Sequence, residues 1–393
     1  MKQRKNLNPH VTRRSWIVLA TSALTGCGGG GSSSSTSTTT ANSPGTGGTG
    51  IYTQGSISGF GSVILNSIRF DDTAATVQVD GVTATSAALR LGMVAAVQGE
   101  RGVDITLGTA SSIEVWSVAQ GGVLQVGSGE FTLAGMTVQT DSSTVFDGIA
   151  NAAALSLGLR VAVWGLQAGA DGTRWTATRV AVVPATAVVP ATAVVSTGLV
   201  RVADSQRFLN GLLLTGSVVG NLTEGLVRVQ GTLSSDGDSL EVASFKLQSP
   251  AAGSQPQGEI EIEGLVTTIP SGGRFMLGSI VVDARSAVYN PATAQISLGA
   301  RVEVYGRWQS GVLKATEVEL EDAQILHSVE ITALIEQYTS LANFVVRGQR
   351  CDATTATISH GKAADLRVGV KVKVKGAKAG GDVLVVTELE IDS

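Results

Sequence analysis

Few side chains in this 393-residue sequence are suited to covalent or acid–base chemistry. There are two cysteines, Cys27 and Cys351, and three histidines, His10, His327 and His360. A zinc centre needs three or four such ligands converging, and two late histidines far apart in sequence do not supply it. A serine nucleophile would be expected on a Gly-x-Ser-x-Gly elbow, and none occurs. The glycine-rich stretch at Gly55–Ser62 lacks the lysine and following helix of a phosphate loop. The carboxylate pairs Asp71/Asp72 and Glu321/Asp322 are adjacent, so on a strand their side chains point to opposite faces and suit an acid–base pair poorly. Cys351 follows an apolar strand and reads as an inert buried thiol rather than an exposed, activated one. These residues point to a non-enzymatic protein without cofactor or metal.

The other cysteine has a different setting. Residues 1–14 are basic and free of acids, Trp16–Leu24 is a short apolar run, and Leu24-Thr25-Gly26-Cys27 follows. The run is too short to span a bilayer as a helix, and the order of segments is that of a secretory signal. The Leu-x-Gly-Cys ending resembles the lipobox of bacterial lipoproteins. That resemblance implies cleavage after residue 26, acylation of the Cys27 thiol, and a membrane partner through that lipid. Thr12-Arg13-Arg14-Ser15-Trp16-Ile17 also resembles a twin-arginine signal, so either export route fits. Gly28, in place of aspartate, favours the outer membrane. Residues 28–50 are Gly, Ser and Thr with little else, the composition of a flexible tether.

What must position any functional surface is a repeat. GMVAAVQG (92–99), GLRVAVWG (158–165), GLVRVQG (225–231), GARVEVYG (299–306) and GVKVKVKG (369–376) share one pattern, their opening glycines 66, 67, 74 and 70 residues apart. Val-x-Val alternation turns both valines to one side of a strand. The first glycine suits a turn into that strand, and the last a reversal into the next. Each unit reads as three strands, a short helix-like link and two more strands. The predicted fold is all-β: five small OB-like barrels of five strands in tandem, with a small β-sandwich as the alternative. The expected boundaries are 1–26 signal, 27–50 lipidated cysteine and tether, 51–116 repeat one and 117–182 repeat two. A Pro/Ala/Val connector follows at 183–195, then a worn repeat three at 196–248, a connector at 249–257, repeat four at 258–322 and repeat five at 328–392.

Repeat one carries a more specific pattern. Gly55-x-Ile-x-Gly59-Phe60-Gly61-Ser62-Val63, Arg69-Phe70 and the Leu91-Gly92-Met93-Val94 anchor resemble the domain-of-unknown-function family 5666, with repeat one the best match. The resemblance implies tandem OB-like repeats in a bacterial envelope lipoprotein. It implies no activity and no catalytic residue.

Two features could carry binding. Trp164 and Tyr305 share the slot before the closing glycine, opposite the core valines, where Gln98, Gln230 and Lys375 stand in the other copies. Such outward aromatics either pack against a neighbouring repeat, the reading preferred here, or stack on sugars or bases. Lys371, Lys373 and Lys375 form one stripe and Glu259, Glu261 and Glu263 another. Both read as solvated outer faces, with docking of repeat five onto repeat four, or onto an anionic envelope polymer, as the alternative. Removing the five basic residues before Cys27 takes the formal charge from −4 to −9, which argues against a nucleic-acid partner. The expected partners are the membrane and an envelope glycan or protein.

Overall fold

The fold is described from a computed structural model covering residues 49–183, 192–248, 258–321, 328–378 and 381–392. The signal segment, Cys27, nearly all of the tether, most of the 183–195 connector, the 249–257 connector, Asp322 and His327 lie outside these residues. Within them the chain is all-β, with four 3-10 turns and no α-helix.

In repeat one, Thr49–Phe60 pairs antiparallel with Val63–Leu65 and with Val94–Arg101. Val63–Leu65 pairs with Ile68–Asp71, which runs parallel to Leu107–Val115, and that last strand pairs back onto Val94–Arg101. Five strands thus close a ring in the order first, second, third, fifth, fourth, which removes the free edges a small sheet would otherwise present. This is the OB arrangement and not two facing sheets. The hairpin Thr76–Val79 and Val82–Ala84, turning at Asp80-Gly81, lies outside the ring against Leu107–Val115.

Repeat three closes the same ring through Ala193–Ala203, Gln206–Leu209, Leu212–Thr215, Gly225–Leu233 and Ser239–Leu247. Repeat five does so through Ser328–Ser340, Asn343–Val346, Gln349–Asp352, Lys371–Lys378 and Val383–Asp392. In repeat two the first strand is split into Ala119–Gly122 and Gln125–Val126. In repeat four Glu259–Leu265 reaches Arg274–Leu277 only through a bridge at Val266–Leu277.

The repeated phrase is the fourth strand of each ring. Its inward positions are Ala95 and Val97, Val161 and Val163, Val227 and Val229, Val302 and Val304, and Val372 and Val374, all fully buried. The opening glycines have positive φ, from 74° to 144°, as the expected turn requires. The closing glycines do something other than reverse the chain. Gly99, Gly165, Gly231, Gly306 and Gly376 each sit at a β-bulge in mid-ladder. A Cβ there would lie 2.1–2.4 Å from a carbonyl oxygen of the fifth strand. These glycines are needed because two backbones approach too closely for a side chain.

The repeats do not follow one another in space as they do in sequence. The first strand of repeat one runs parallel to that of repeat four (Ile51↔Glu259 to Gln54↔Ile262) and touches that of repeat five (Gly59↔Glu330, Phe60↔Ile331). Repeats two and three join separately, through Val195↔Gln120 and Ser196↔Ala119. Repeats one and five share a single apolar core, which also takes in Val145, Ala162 and Trp164 of repeat two.

Candidate functional site

Alternation along the strands decides what faces the junctions. In Thr49–Phe60, Ile51 and Thr53 point inward, so Tyr52 and Gln54 point out. In Leu107–Val115, Ile113 and Val115 point inward, which leaves Glu114 and then Trp116 outside. The outer faces of repeats one to four meet around a cavity of about 470 Å³. Its walls include Tyr52, Trp116, Trp175 and Trp308, with Gln54, Gln98, Gln167 and Gln248 among them. The chain has only five tryptophans, and three of them are here.

The charged groups of this cavity are satisfied among themselves. Lys246 Nζ lies 2.8 Å from Glu114 Oε2, and Trp116 Nε1 donates to the same oxygen at 3.2 Å. The Lys246 ammonium, with Trp116 assisting, holds the Glu114 carboxyl below the ordinary range. Lys246 Nζ also sits 3.8 Å from the Trp116 ring centroid, with the Arg228 guanidinium 5.0 Å from it. Tyr52 Oη donates to Gln54 Oε1 at 2.9 Å, and burial, reinforced by Glu114, pushes the phenol well up. Trp175 Nε1 donates to the Gly172 carbonyl at 2.9 Å. Three buried polar atoms around the cavity have no protein partner: Gln167 Oε1, Gln248 Nε2 and Trp308 Nε1.

A second recess of about 240 Å³ lies where repeats one, four and five meet. Register sets Glu263 opposite Glu303, and Glu303 opposite Glu319, on adjacent strands of repeat four. Glu263 is neutralised by an ion pair with Arg301 and by the Ser56 N–H, which donates at 2.7 Å. Glu303 instead shares a hydrogen bond with Glu321 and accepts one from Tyr305 Oη at 2.8 Å. Burial, with Glu321, Glu261 and Glu263 nearby, pushes the Glu303 carboxyl well above its ordinary value; burial raises Glu321 too. Among the described residues no group of His, Cys, Asp and Glu is arranged to hold a metal ion.

The residues singled out from sequence fall mostly elsewhere. Trp164 is 5% exposed, inside the apolar cluster of repeats one and five, with the Arg179 guanidinium 6.0 Å from its ring. Tyr305 is half-buried in the glutamate cluster. Lys371 and Lys375 pair with Asp392 and Glu388 of their own repeat, at 2.6 and 3.3 Å. Lys373 meets Glu330 at 3.1 Å, and Glu330 in turn takes Arg69 of repeat one at 2.9 Å. The expectation of a solvated glutamate stripe, or one facing repeat five, is corrected. Glu261 and Glu263 are buried, and the stripe docks on repeat one, where Arg101 reaches Glu261 at 2.6 Å and Glu259 at 3.8 Å. The parallel pairing of first strands turns that face inward. Cys27 lies outside the described residues.

Trp116, Trp175 and Trp308 were not singled out. Their signal was rarity, in a chain with 4% aromatics, but they occupy no common slot of the repeat.

Comparison with protein families decides one point. Residues 120–181, 263–319 and 332–390 each match the model of a domain of unknown function, DUF5666. The chain carries three DUF5666 domains. They coincide with repeats two, four and five. The expectation that repeat one would match best is therefore not met: its DUF5666-like pattern lies outside the matched segments. Each matched segment includes the valine anchor and bulge glycine of its repeat. No curated protein matches the chain.

Proposed function

We propose that this protein is a lipid-anchored component of the bacterial cell envelope with a non-enzymatic, structural or binding role, held in the outer membrane through Cys27. The sequence around Cys27 supports the anchor, and the low-complexity stretch after it supports a tether. The observation that carries the binding role is the tryptophan- and glutamine-walled cavity where four repeats converge. Ligand sites are typically clefts of about 300–1,000 Å³ with apolar walls and a few placed polar groups. The test is crosslinking of the lipidated protein in cells, beside fractionation of wild type and Cys27→Ser. Recovery of one envelope glycan or protein, with loss of membrane association in the variant, is expected. A soluble wild type, or a folded protein that crosslinks to no envelope component, would sink the reading.

A second reading, hydrolysis of an envelope polymer, is favoured by one observation: Glu303 and Glu321 share a hydrogen bond beside the 240 Å³ recess. Loss of polymer cleavage in Glu303→Gln, with folding intact, would establish it.

A further inference from the structure

We propose that the end of the molecule at Thr49 docks on an anionic lipid bilayer, through an apolar hairpin tip of repeat one and a basic row on repeat four. The inference rests on the lipid anchor proposed above and gives the anchored chain an orientation.

Register puts both features at one end. Thr49 pairs with Arg101, so the hairpin tip that follows Arg101 projects beyond the start of the first strand. Ile51 lies level with Glu259 in the parallel pairing of repeats one and four. Ile260 pairs with Gly306, which sets Arg307 level with Glu259, and the turn between Gln309 and Val312 projects past it in the same direction. Repeat five meets the other end of the first strand, at Gly59 and Phe60. Cys27 precedes Thr49 by 22 residues, a stretch that spans at most about 75 Å. The pull of an acylated Cys27 therefore enters the fold at this end and holds it at a high local concentration beside the lipid.

In the hairpin tip Val103 is fully exposed, and Ile105 and Leu107 are 52% and 46% exposed. The acid between them, Asp104, accepts from the Thr106 N–H and hydroxyl at 2.9 and 2.7 Å. On repeat four, Phe275, Val282 and Leu313 point into the core, so Arg274, Asp283 and Lys314 lie on the outer face. Pairing lines up Arg274, Asp283, Lys314 and Arg307 across four adjacent strands. Arg285 joins from the next outward position, 2.7 Å from Asp283. Four cations thus surround one carboxylate, in a chain that is acidic overall. Asp283 is taken by Arg274, Arg285 and Lys314, which leaves Arg307 without an ion pair among the described residues. Lys314 and Arg307 stand directly opposite each other, an arrangement that costs stability unless an anion is brought to it. The next outward row toward the Gln309–Val312 turn is Met276, Val281 and Val312, with Val281 exposed.

The combination selects the occupant. A soluble polyanion would take the cations and leave Val103, Ile105 and Val281 in water. A bilayer interface takes both, with headgroup phosphates for the cations and the acyl border for the aliphatic side chains. Anionic lipid repels the acidic remainder of the chain, which disfavours other orientations.

The test uses the lipidated protein on vesicles of phosphatidylethanolamine with phosphatidylglycerol. An environment-sensitive fluorophore is placed in turn at Val103→Cys, at Val281→Cys and, as the control in repeat five, at Leu334→Cys. Acylated Cys27 and buried Cys351 do not take the label, and spin-labelled lipid serves as quencher. Quenching at the first two sites and not at the third is expected. Arg307→Gln and Arg274→Gln should each lower the ratio of docked to undocked protein about fivefold, at unchanged melting temperature and unchanged flotation with the vesicles. Phosphatidylcholine vesicles should abolish docking but not flotation. Flotation with no site quenched, equal quenching at all three, or quenching that persists on phosphatidylcholine would overturn the inference and leave the anchor standing. So would binding of a soluble uronate oligomer that Arg307→Gln abolishes while the labels stay in water. A wild-type protein that carries no acyl group and does not float would remove the anchor, and the inference with it.

Discussion

The backbone N–H of Ser56 in repeat one donates to Glu263 Oε2 in repeat four at 2.7 Å, across 207 residues of sequence. The Ser56 hydroxyl joins the same oxygen at 3.0 Å, and Arg301 completes the set. One carboxylate therefore ties two repeats that are not sequence neighbours.

Glu263→Ala should leave Arg301, itself nearly buried, without its ion-pair partner. Breaking a buried pair from one side costs about 3–5 kcal/mol. The urea midpoint should fall accordingly, whereas Glu130→Ala, which breaks an exposed pair with Arg174, should cost under about 1 kcal/mol of stability and barely move it.

The bulge glycines make a sharp local prediction. Gly376→Ala puts a methyl 2.1 Å from the Val385 carbonyl oxygen, so a ladder must move, at a cost of about 1–3 kcal/mol or more. Gly50→Ala meets nothing within 4 Å and serves as the control. Equal melting temperatures for the two variants would contradict the close approach.

Stability should depend on pH through Glu303 and Glu321. Both carboxyls are raised in the fold above the ordinary value of 4.5. Between that value and the raised one, the folded chain binds more protons than the unfolded chain, so stability falls as pH rises. Their contribution is fully present below the unfolded value and is lost through the raised one, as charge develops beside Glu261, Glu263 and Glu319 with Arg301 the nearby cation. Denaturation midpoints between pH 4 and pH 8 should show this decline, and Glu303→Gln should flatten it. Asp283 behaves oppositely. Arg285 and Lys314 hold its carboxyl far below 3.8, so its contribution is lost only as the solution is made strongly acidic.

Trp164→Ala should lower stability by about 3–5 kcal/mol, the usual cost of emptying a buried aromatic site. Affinity for any ligand of the tryptophan-walled cavity should be unchanged, since Trp164 is not part of that wall. Calorimetry on the refolded variant reads both quantities.

Cys351 is fully buried between Phe344 and Leu384 on neighbouring strands. A thiol reagent such as DTNB should label it at the rate of unfolding and not before. Rapid labelling of the native chain would show a barrel that opens locally.

The core was legible in the sequence because five copies of one alternating phrase average out local accidents. Val372 and Val374 could be assigned inward from period two alone. The role of Gly376 was not legible, since a mid-strand bulge and a turn call for the same residue. Asp80 shows the other limit. Its turn with Gly81 was plain, yet its carboxylate also takes Ser117, Gln120 and Arg228, joining repeats one, two and three. Glu261 reads as solvated on any isolated strand, and only the pairing of Ile51–Gln54 with Glu259–Ile262 makes it interior. Contacts between non-sequential repeats leave no periodic trace, and both cavities lie at such contacts.

The strand Thr49–Phe60 is synthesised well before the strands that complete it: part of its edge is covered by Glu259–Leu265 and its end by Ser328–Ser340. Its final pairing must wait for repeats four and five. Such long loop closures slow folding and leave a paired barrel with a sticky border in the interval. A fragment ending before repeat four should therefore self-associate, whereas the 393-residue chain caps that border from within. Order of synthesis and order of assembly run against each other in this protein, and its last two repeats act as the closing pieces for its first.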